Sequence, residues 1–159
     1  MTIYTDGSAH PNPGPGGYGI IVTDSNDCLI ECYSFQTNKT TNNEMEMRAI
    51  LFAFLKYGII PNEEDFFLEL PTILSDSHYA VETFNNWMFN WERNGWIKSD
   101  KKTPENLEIV QTYFNHWKKG YRINLKQIRG HRGIKGNEYA DRLATGKITT
   151  QEVYKIYDK

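Results

Sequence analysis

The stretch Ile3-Tyr4-Thr5-Asp6-Gly7-Ser8, with Pro11-Asn12-Pro13-Gly14-Pro15-Gly16-Gly17-Tyr18 close behind it, decides the fold. Residues Ile3 to Thr5 alternate as a strand that ends at Asp6-Gly7-Ser8, and Pro11 to Gly17 is too rigid and glycine-rich to be anything but a turn. Tyr18 to Thr23 resumes as a strand. Asp24-Ser25-Asn26-Asp27 is a hairpin signal, and Cys28 to Phe35 reads as a third strand. Three antiparallel strands therefore open the chain.

Helical spacing takes over after Lys39. Thr41 and Glu44 have the spacing of a capping box, and Gly58 supplies a stop. Glu46, Ile50, Ala53 and Tyr57 fall on one stripe of this helix, so a carboxylate sits on the face that otherwise points to the core. That placement is costly unless something neutralises it. A short strand, Thr72 to Ser75, ends at Asp76. Phe66 to Leu70 could extend it, but Pro71 cannot donate to a ladder and argues for a bulge or break. A helix runs from Ser77 to about Trp87. Trp91 to Thr103 is a polar, tryptophan-bearing segment, and Pro104 leads into a helix over Glu105 to Lys118. Tyr121 to Ile128 alternates as a fifth strand, Gly130-His131-Arg132-Gly133 is a loop, and helices follow over Asn137 to Thr145 and Thr149 to Tyr157. This order predicts a mixed sheet with helices on its faces, in one domain covering 1–159.

With 159 residues, 39% of them hydrophobic, the chain has ample material for one packed core. Its net charge of −2 argues against nucleic-acid binding by bulk electrostatics, but the distribution is uneven. Lys118 to Lys135 carries seven basic residues and no acidic one, whereas acidic residues collect at Glu63, Glu64, Asp65 and Glu69. No signal-peptide pattern or membrane-length apolar run occurs, so a cytoplasmic location is expected. Cys28 and Cys32 would face the same way with Cα atoms ~13 Å apart, too far for a disulfide. They read as two small core thiols in a reducing compartment rather than a metal pair.

Asp6 and Asp76 each close a strand, Glu46 rides a buried helix face, and Asp141 sits in a late helix after a histidine-bearing loop. Each alone has an ordinary role: Asp6 in a turn, Asp76 as a helix cap, Asp141 in a surface pair. If the first and fourth strands are neighbours, however, Asp6 and Asp76 emerge side by side where open sheets place their sites. Converging carboxylates repel one another and persist when a divalent cation neutralises them. Oxygen-only ligands select magnesium or manganese over zinc, and such ions suit phosphodiester hydrolysis.

Five blocks, in order, carry a resemblance over nearly the whole chain: Asp6-Gly7-Ser8; Asn12-Pro13-Gly14-Pro15-Gly16-Gly17-Tyr18-Gly19; Thr41-Asn42-Asn43-Glu44-Met45-Glu46; Ser75-Asp76-Ser77; and Gly130-His131 with Asn137-Glu138 and Asp141. Together they resemble the type 1 ribonuclease H family in its bacterial form. The resemblance implies a ribonuclease H-like α/β fold: a five-stranded mixed sheet, three antiparallel strands then two parallel, with helices on both faces. It implies a monomeric endoribonuclease that cuts the RNA strand of RNA/DNA hybrids with two magnesium ions, or manganese, held by Asp6, Glu46, Asp76 and Asp141. It further implies that His131, on a mobile loop, assists proton transfer or product departure, a role suited to imidazole.

By the same resemblance Asn12, Asn42, Asn43 and His78 line the hybrid's minor groove, and Thr41 and Asn106 lie near a DNA phosphate. Trp87, Trp91 and Trp96, with Arg93, Lys98, Lys101 and Lys102, resemble the basic protrusion that holds the hybrid; Glu92 and Asn94 beside Arg93 make it less basic than is usual. Two other readings share parts of this pattern. A junction resolvase-like nuclease would keep the fold and change the substrate, against which Asn42-Asn43 and the His131 loop speak. A hybrid-binding module without catalysis would not need all four carboxylates.

Overall fold

The structure is a computed structural model that describes residues 1–62, 64 and 69–159. Among the described residues, β1 (Thr2–Ala9), β2 (Gly14–Thr23), β3 (Leu29–Thr40), β4 (Thr72–Ser75) and β5 (Asn124–Gln127) form one sheet in the order β3-β2-β1-β4-β5. The first three strands pair antiparallel, and β4 and β5 run parallel to β1. This is the expected α/β mixed sheet.

The two faces of the sheet are read from its pleat. Ile3, Ile20, Val22 and Ile73 are buried in one cluster with Ile50, Ala53 and Phe54 of α1 (Asn42–Tyr57). Ile21 and Cys32, which point the other way, are buried in a second cluster with residues from two late helices. Alternating side chains commit each strand to both layers, so a one-residue slip would expose both clusters.

Thr41 begins α1, its hydroxyl oxygen accepting from the Glu44 N–H at 3.1 Å, a cap whose loss costs about 1 kcal/mol. The Glu44 carboxylate does not complete the expected box; it takes the Thr40 hydroxyl at 2.9 Å and Arg48 at 2.7 Å. Ser77 caps α2 (His78–Glu82). A single π turn over Thr83–Trp87 joins α2 to α3 (Met88–Arg93), so this helical run reaches beyond the expected end at Trp87. Then come α4 (Leu107–Lys118), α5 (Lys135–Ala144) and α6 (Thr150–Ile156), the last with a complete Thr149/Glu152 capping box.

Several boundaries differ from the sequence reading. β1 does not end at Asp6 but runs to Ala9, and β2 begins within the glycine-rich segment, because Gly16 and Gly17 pair with Ala9 and Ser8. The third strand begins at Leu29, which leaves Cys28 exposed rather than a core thiol, while Cys32 is buried; both are free. The fifth strand is shorter than Tyr121 to Ile128, because Arg122 pairs instead with Ile59 in an isolated bridge. Helix α4 begins two residues after Glu105, at Leu107. Glu63 and Asp65 of the acidic cluster, and residues 66–68 of the possible strand extension, lie outside the described residues. Among the described residues no helix is long and apolar enough to cross a membrane.

Candidate active site

The parallel pairing of β1 with β4 places Thr5 opposite Ser75, so the next residues, Asp6 within β1 and Asp76 just past the end of β4, stand at the same level. Helix α1 lies directly over β1 at this point. A Cβ on Gly7 would stand 2.3 Å from the Met45 carbonyl carbon and 2.4 Å from the Glu46 nitrogen. Only glycine permits that approach, and the approach delivers Glu46 to Asp6. One carboxylate oxygen from each of Asp6, Glu46 and Asp76 lies within 4.8 Å of the others.

Asp141 reaches the same place from the other face. Gly19, the partner of Asp6 on β2, is covered by α5 so closely that a Cβ there would meet the Ala140 carbonyl oxygen at 2.3 Å. Asp141 stands outside the three-oxygen cluster but close enough for its charge and a hydrogen bond to act on Asp6. The four predicted carboxylates thus converge, three tightly and the fourth through Asp6.

Asp6 and Glu46 are 6% and 8% exposed, which sets the electrostatics of the site. Burial raises Asp6 to about 7; a hydrogen bond with Glu46 opposes the rise, and the Asp76 and Asp141 charges add to it. Burial, then the Asp6 charge, push Glu46 well above the usual carboxylate range. Without a cation, burial and the neighbouring carboxylates therefore favour the protonated forms of Asp6 and Glu46. The Gly7 N–H donates to Asp6 Oδ1 at 2.9 Å. Glu46 Oε2 is buried without a hydrogen-bond partner. A buried carboxylate with an unpartnered oxygen, clustered with two further carboxylates, is an arrangement a hard divalent cation would complete.

His131 is exposed, with a left-handed φ of 57°, and lies outside the carboxylate cluster. Its loop does begin at the site: a Cβ on Gly130 would fall 2.5 Å from Asp76 Oδ2. Asn12 and Asn42 tie the β1–β2 connection to the start of α1. Asn42 Oδ1 accepts from the Ala9 N–H at 2.6 Å and Asn12 Oδ1 from the Asn42 N–H at 3.1 Å. With both oxygens engaged, each amide has its NH₂ group left for a ligand. Asn43 lies half-buried in the first turn of α1, and Asn106 Nδ2 reaches Met47 Sδ of the same helix at 3.8 Å.

His78 is exposed, pairs through Nδ1 with Gln127 Oε1 at 3.1 Å and stands edge-on to Trp87. Gln127 has no signal in the sequence; only the β4–β5 register brings it there. Tyr79, Trp87, Trp91 and Lys98, with Ser99 and Asp100, line an open groove of about 340 Å³. Trp96 instead packs edge-on against Phe114, 5.4 Å away, as a partly buried residue at the edge of the core. Lys98 is paired with Asp100 at 3.7 Å and Arg93 with Asn90, while Lys101 and Lys102 are exposed.

The chain has relatives among known proteins. The RNase H family profile matches residues 1–149. The chain is similar to a ribonuclease H of Cupriavidus metallidurans, 35% identical over 152 residues, covering 94% of this chain and 96% of that protein. It is similar also to a ribonuclease H of Rickettsia massiliae, 35% identical over 156 residues and covering 98% and 95%. Among solved structures, the RNase H domain of PFV superposes with a TM-score of 0.71 at 23% identity, covering 90% of each chain. LC11-RNase H1 in complex with an RNA/DNA hybrid superposes with a TM-score of 0.61 at 21% identity, covering 96% of this chain and 98% of that one.

Proposed function

Because the chain belongs to the RNase H family, metal-dependent endoribonucleases that hydrolyse the RNA of RNA/DNA hybrids, we propose that Asp6, Glu46, Asp76 and Asp141 hold two magnesium ions, or manganese in their place. The observation that carries this reading is the convergence of Asp6, Glu46 and Asp76 within 4.8 Å, with Glu46 buried and one of its oxygens unpartnered. Oxygen ligands of this kind suit magnesium or manganese. Bound there, the ions would supply Lewis acidity at the scissile phosphate and make an attacking water more acidic.

The chain's own residues do the rest. Asp6 and Asp76 are fixed by the sheet and Glu46 by α1, so the ligands are placed before substrate arrives and little reorganisation is needed. His131, carried on a loop that starts against Asp76, gives or takes a proton at the product side or speeds departure. Asn12, Asn42, Asn43 and His78 contact the minor groove, where an A-form-like hybrid shows its 2′-hydroxyls. Thr41 and Asn106, both anchored to α1, take a DNA phosphate. Arg93, Lys98, Lys101 and Lys102 hold the backbone beside the Trp87/Trp91 groove, with Lys101 and Lys102 carrying most of the charge because Lys98 is paired. The 1–159 chain acts as one catalytic domain, as a cytoplasmic monomer.

Asp76→Asn and Asp141→Asn test the assignment. Each should abolish cleavage of a labelled hybrid and weaken magnesium binding by calorimetry while leaving the circular dichroism spectrum unchanged. Near-normal turnover in either variant would remove that residue from the site.

A further inference from the structure

A cavity of about 140 Å³ lies between the π turn and α4, lined by the buried Phe54, Phe84 and Tyr113 and the partly buried Phe89 and Trp117, with Arg122 beside them. It stands at the far end of the sheet from the carboxylates. Asn124, which opens β5 just after Arg122, pairs with Thr72, and Asp76 lies four residues further on, ~13 Å along the parallel pair. None of the lining residues is assigned above to metal or hybrid. The Met88 N–H bonds to the Thr83 carbonyl five residues back, and the turn this makes brings Phe84 and Asn85 to the cavity. Asn85 Nδ2 donates to the Leu125 carbonyl at 2.9 Å, which pins the turn to β5. Single π turns of this kind are frequent at functional sites.

Volume and lining select the ligand. An apolar cavity of ~150 Å³ admits one benzene ring, so a single ring fits here and a nucleobase with its sugar does not. The walls are aromatic: Phe84 stacks on Tyr113 at 4.1 Å, Phe54 meets Tyr113 at 4.3 Å, and Phe89 stands edge-on to Trp117 at 4.8 Å. Such walls suit a flat ring. Arg122 supplies charge. Its guanidinium lies 4.4 Å over the Trp117 ring, and Nη1 donates to the Trp117 and Tyr121 carbonyls, both at 2.7 Å. The group is thereby held in place, with the N–H groups of Nε and Nη2 left for a ligand. Among the described residues no carboxylate pairs with Arg122. Tyr113 is 4% exposed, and its hydroxyl makes no hydrogen bond among the described residues. A cationic donor and an unpartnered buried hydroxyl beside an aromatic box call for a ring that carries an anion.

We propose that this cavity is a binding site for a small aromatic carboxylate of one ring, benzoate being the simplest, with the ring against the aromatic walls and the carboxylate on Arg122. The site is separate from the carboxylate centre and does not depend on the hybrid-cleaving reading.

The test is a titration of the full-length, isotopically labelled chain followed by NMR, with four probes. Benzoate should bind with a Kd on the order of 0.1–1 mM, as befits so few atoms, and should shift signals of Phe84, Asn85, Trp117 and Ile123. Toluene carries the ring without the charge, acetate the charge without the ring, and benzylamine the opposite charge. Each should bind about tenfold more weakly or worse, the worth of a charge-assisted hydrogen bond. Arg122→Gln should lose the preference for benzoate over toluene while still binding toluene, which shows that the cavity is intact. Should that variant fail to fold, the ranking of the four probes on the wild type decides. Benzoate that binds no better than toluene or acetate, shifts confined to residues away from the cavity, or a folded Arg122→Gln that keeps the full preference would overturn the site.

Discussion

Replacing Asp6 with Asn should make the metal-free protein more stable while destroying its activity. Asp6 is buried and raised from 3.8 to about 7, so the folded state keeps its proton over a range in which the unfolded chain has lost it. Between those values the native state binds more protons than the unfolded one, and stability falls as pH rises. Below pH 4 both states are protonated and the penalty vanishes; above pH 7 it is complete. Roughly three pKa units at 1.36 kcal/mol each give ~4 kcal/mol of destabilisation at pH 8, and Glu46 pushes in the same direction. Asn removes the charge and keeps the shape: its Oδ1 can still accept from the Gly7 N–H, and its NH₂ can donate to Glu46. For a chain of this size ~4 kcal/mol corresponds to a rise of about 8–16 °C in Tm. Thermal melts in EDTA at pH 8 and pH 4 read both parts of the claim, since the gain should be large at the first and absent at the second. A variant no more stable than the wild type at pH 8, or a gain that persists at pH 4, would refute the reasoning.

Gly19→Ala should cost about 1–3 kcal/mol by overpacking, because its Cβ would press on the Ala140 carbonyl oxygen at 2.3 Å, and it should lower kcat by displacing Asp141. Urea melts and turnover that both match the wild type would contradict this. His131→Ala should retain hybrid binding and lose ~10²- to 10⁴-fold in kcat, the usual worth of general acid–base help. A defect confined to steady state would assign His131 to product release, and one also present in single turnover to proton transfer; parity in both regimes would return it to an ordinary loop residue. Replacing Lys101 and Lys102 together with Ala should raise KM far more than it lowers kcat, and should flatten the plot of log affinity against log salt by roughly 0.9 for each phosphate no longer neutralised. An unchanged salt slope would place those lysines away from the backbone.

Glu46 was legible as a site residue in the sequence because a carboxylate on the Ile50–Ala53 stripe breaks the pattern of its own helix. Asp76 was legible because a strand ends in front of it and a capped helix starts behind it. The motif marks Asp6 but not its local structure: Asp-Gly suggests a strand end or turn, whereas Gly7 is needed for the approach of α1 and the strand runs on to Ala9. Gly16 and Gly17 likewise look like turn residues in the sequence but are strand residues that admit close neighbours rather than reversals. Gln127 had no signal at all, since its partner lies 49 residues away. The exposure of Cys28 depended on where β3 begins, and alternation alone does not settle a strand end.

The central claim is that four converging carboxylates make a metal-dependent nuclease selective for the RNA of a hybrid. Its most direct test is to incubate the protein with end-labelled RNA/DNA hybrid, RNA duplex and DNA duplex, each with magnesium, manganese or EDTA. The account predicts internal cleavage of the RNA strand in the hybrid alone, with either ion, and none in EDTA. Cleavage that survives EDTA, or cutting of either homoduplex at a rate equal to the hybrid, would contradict it.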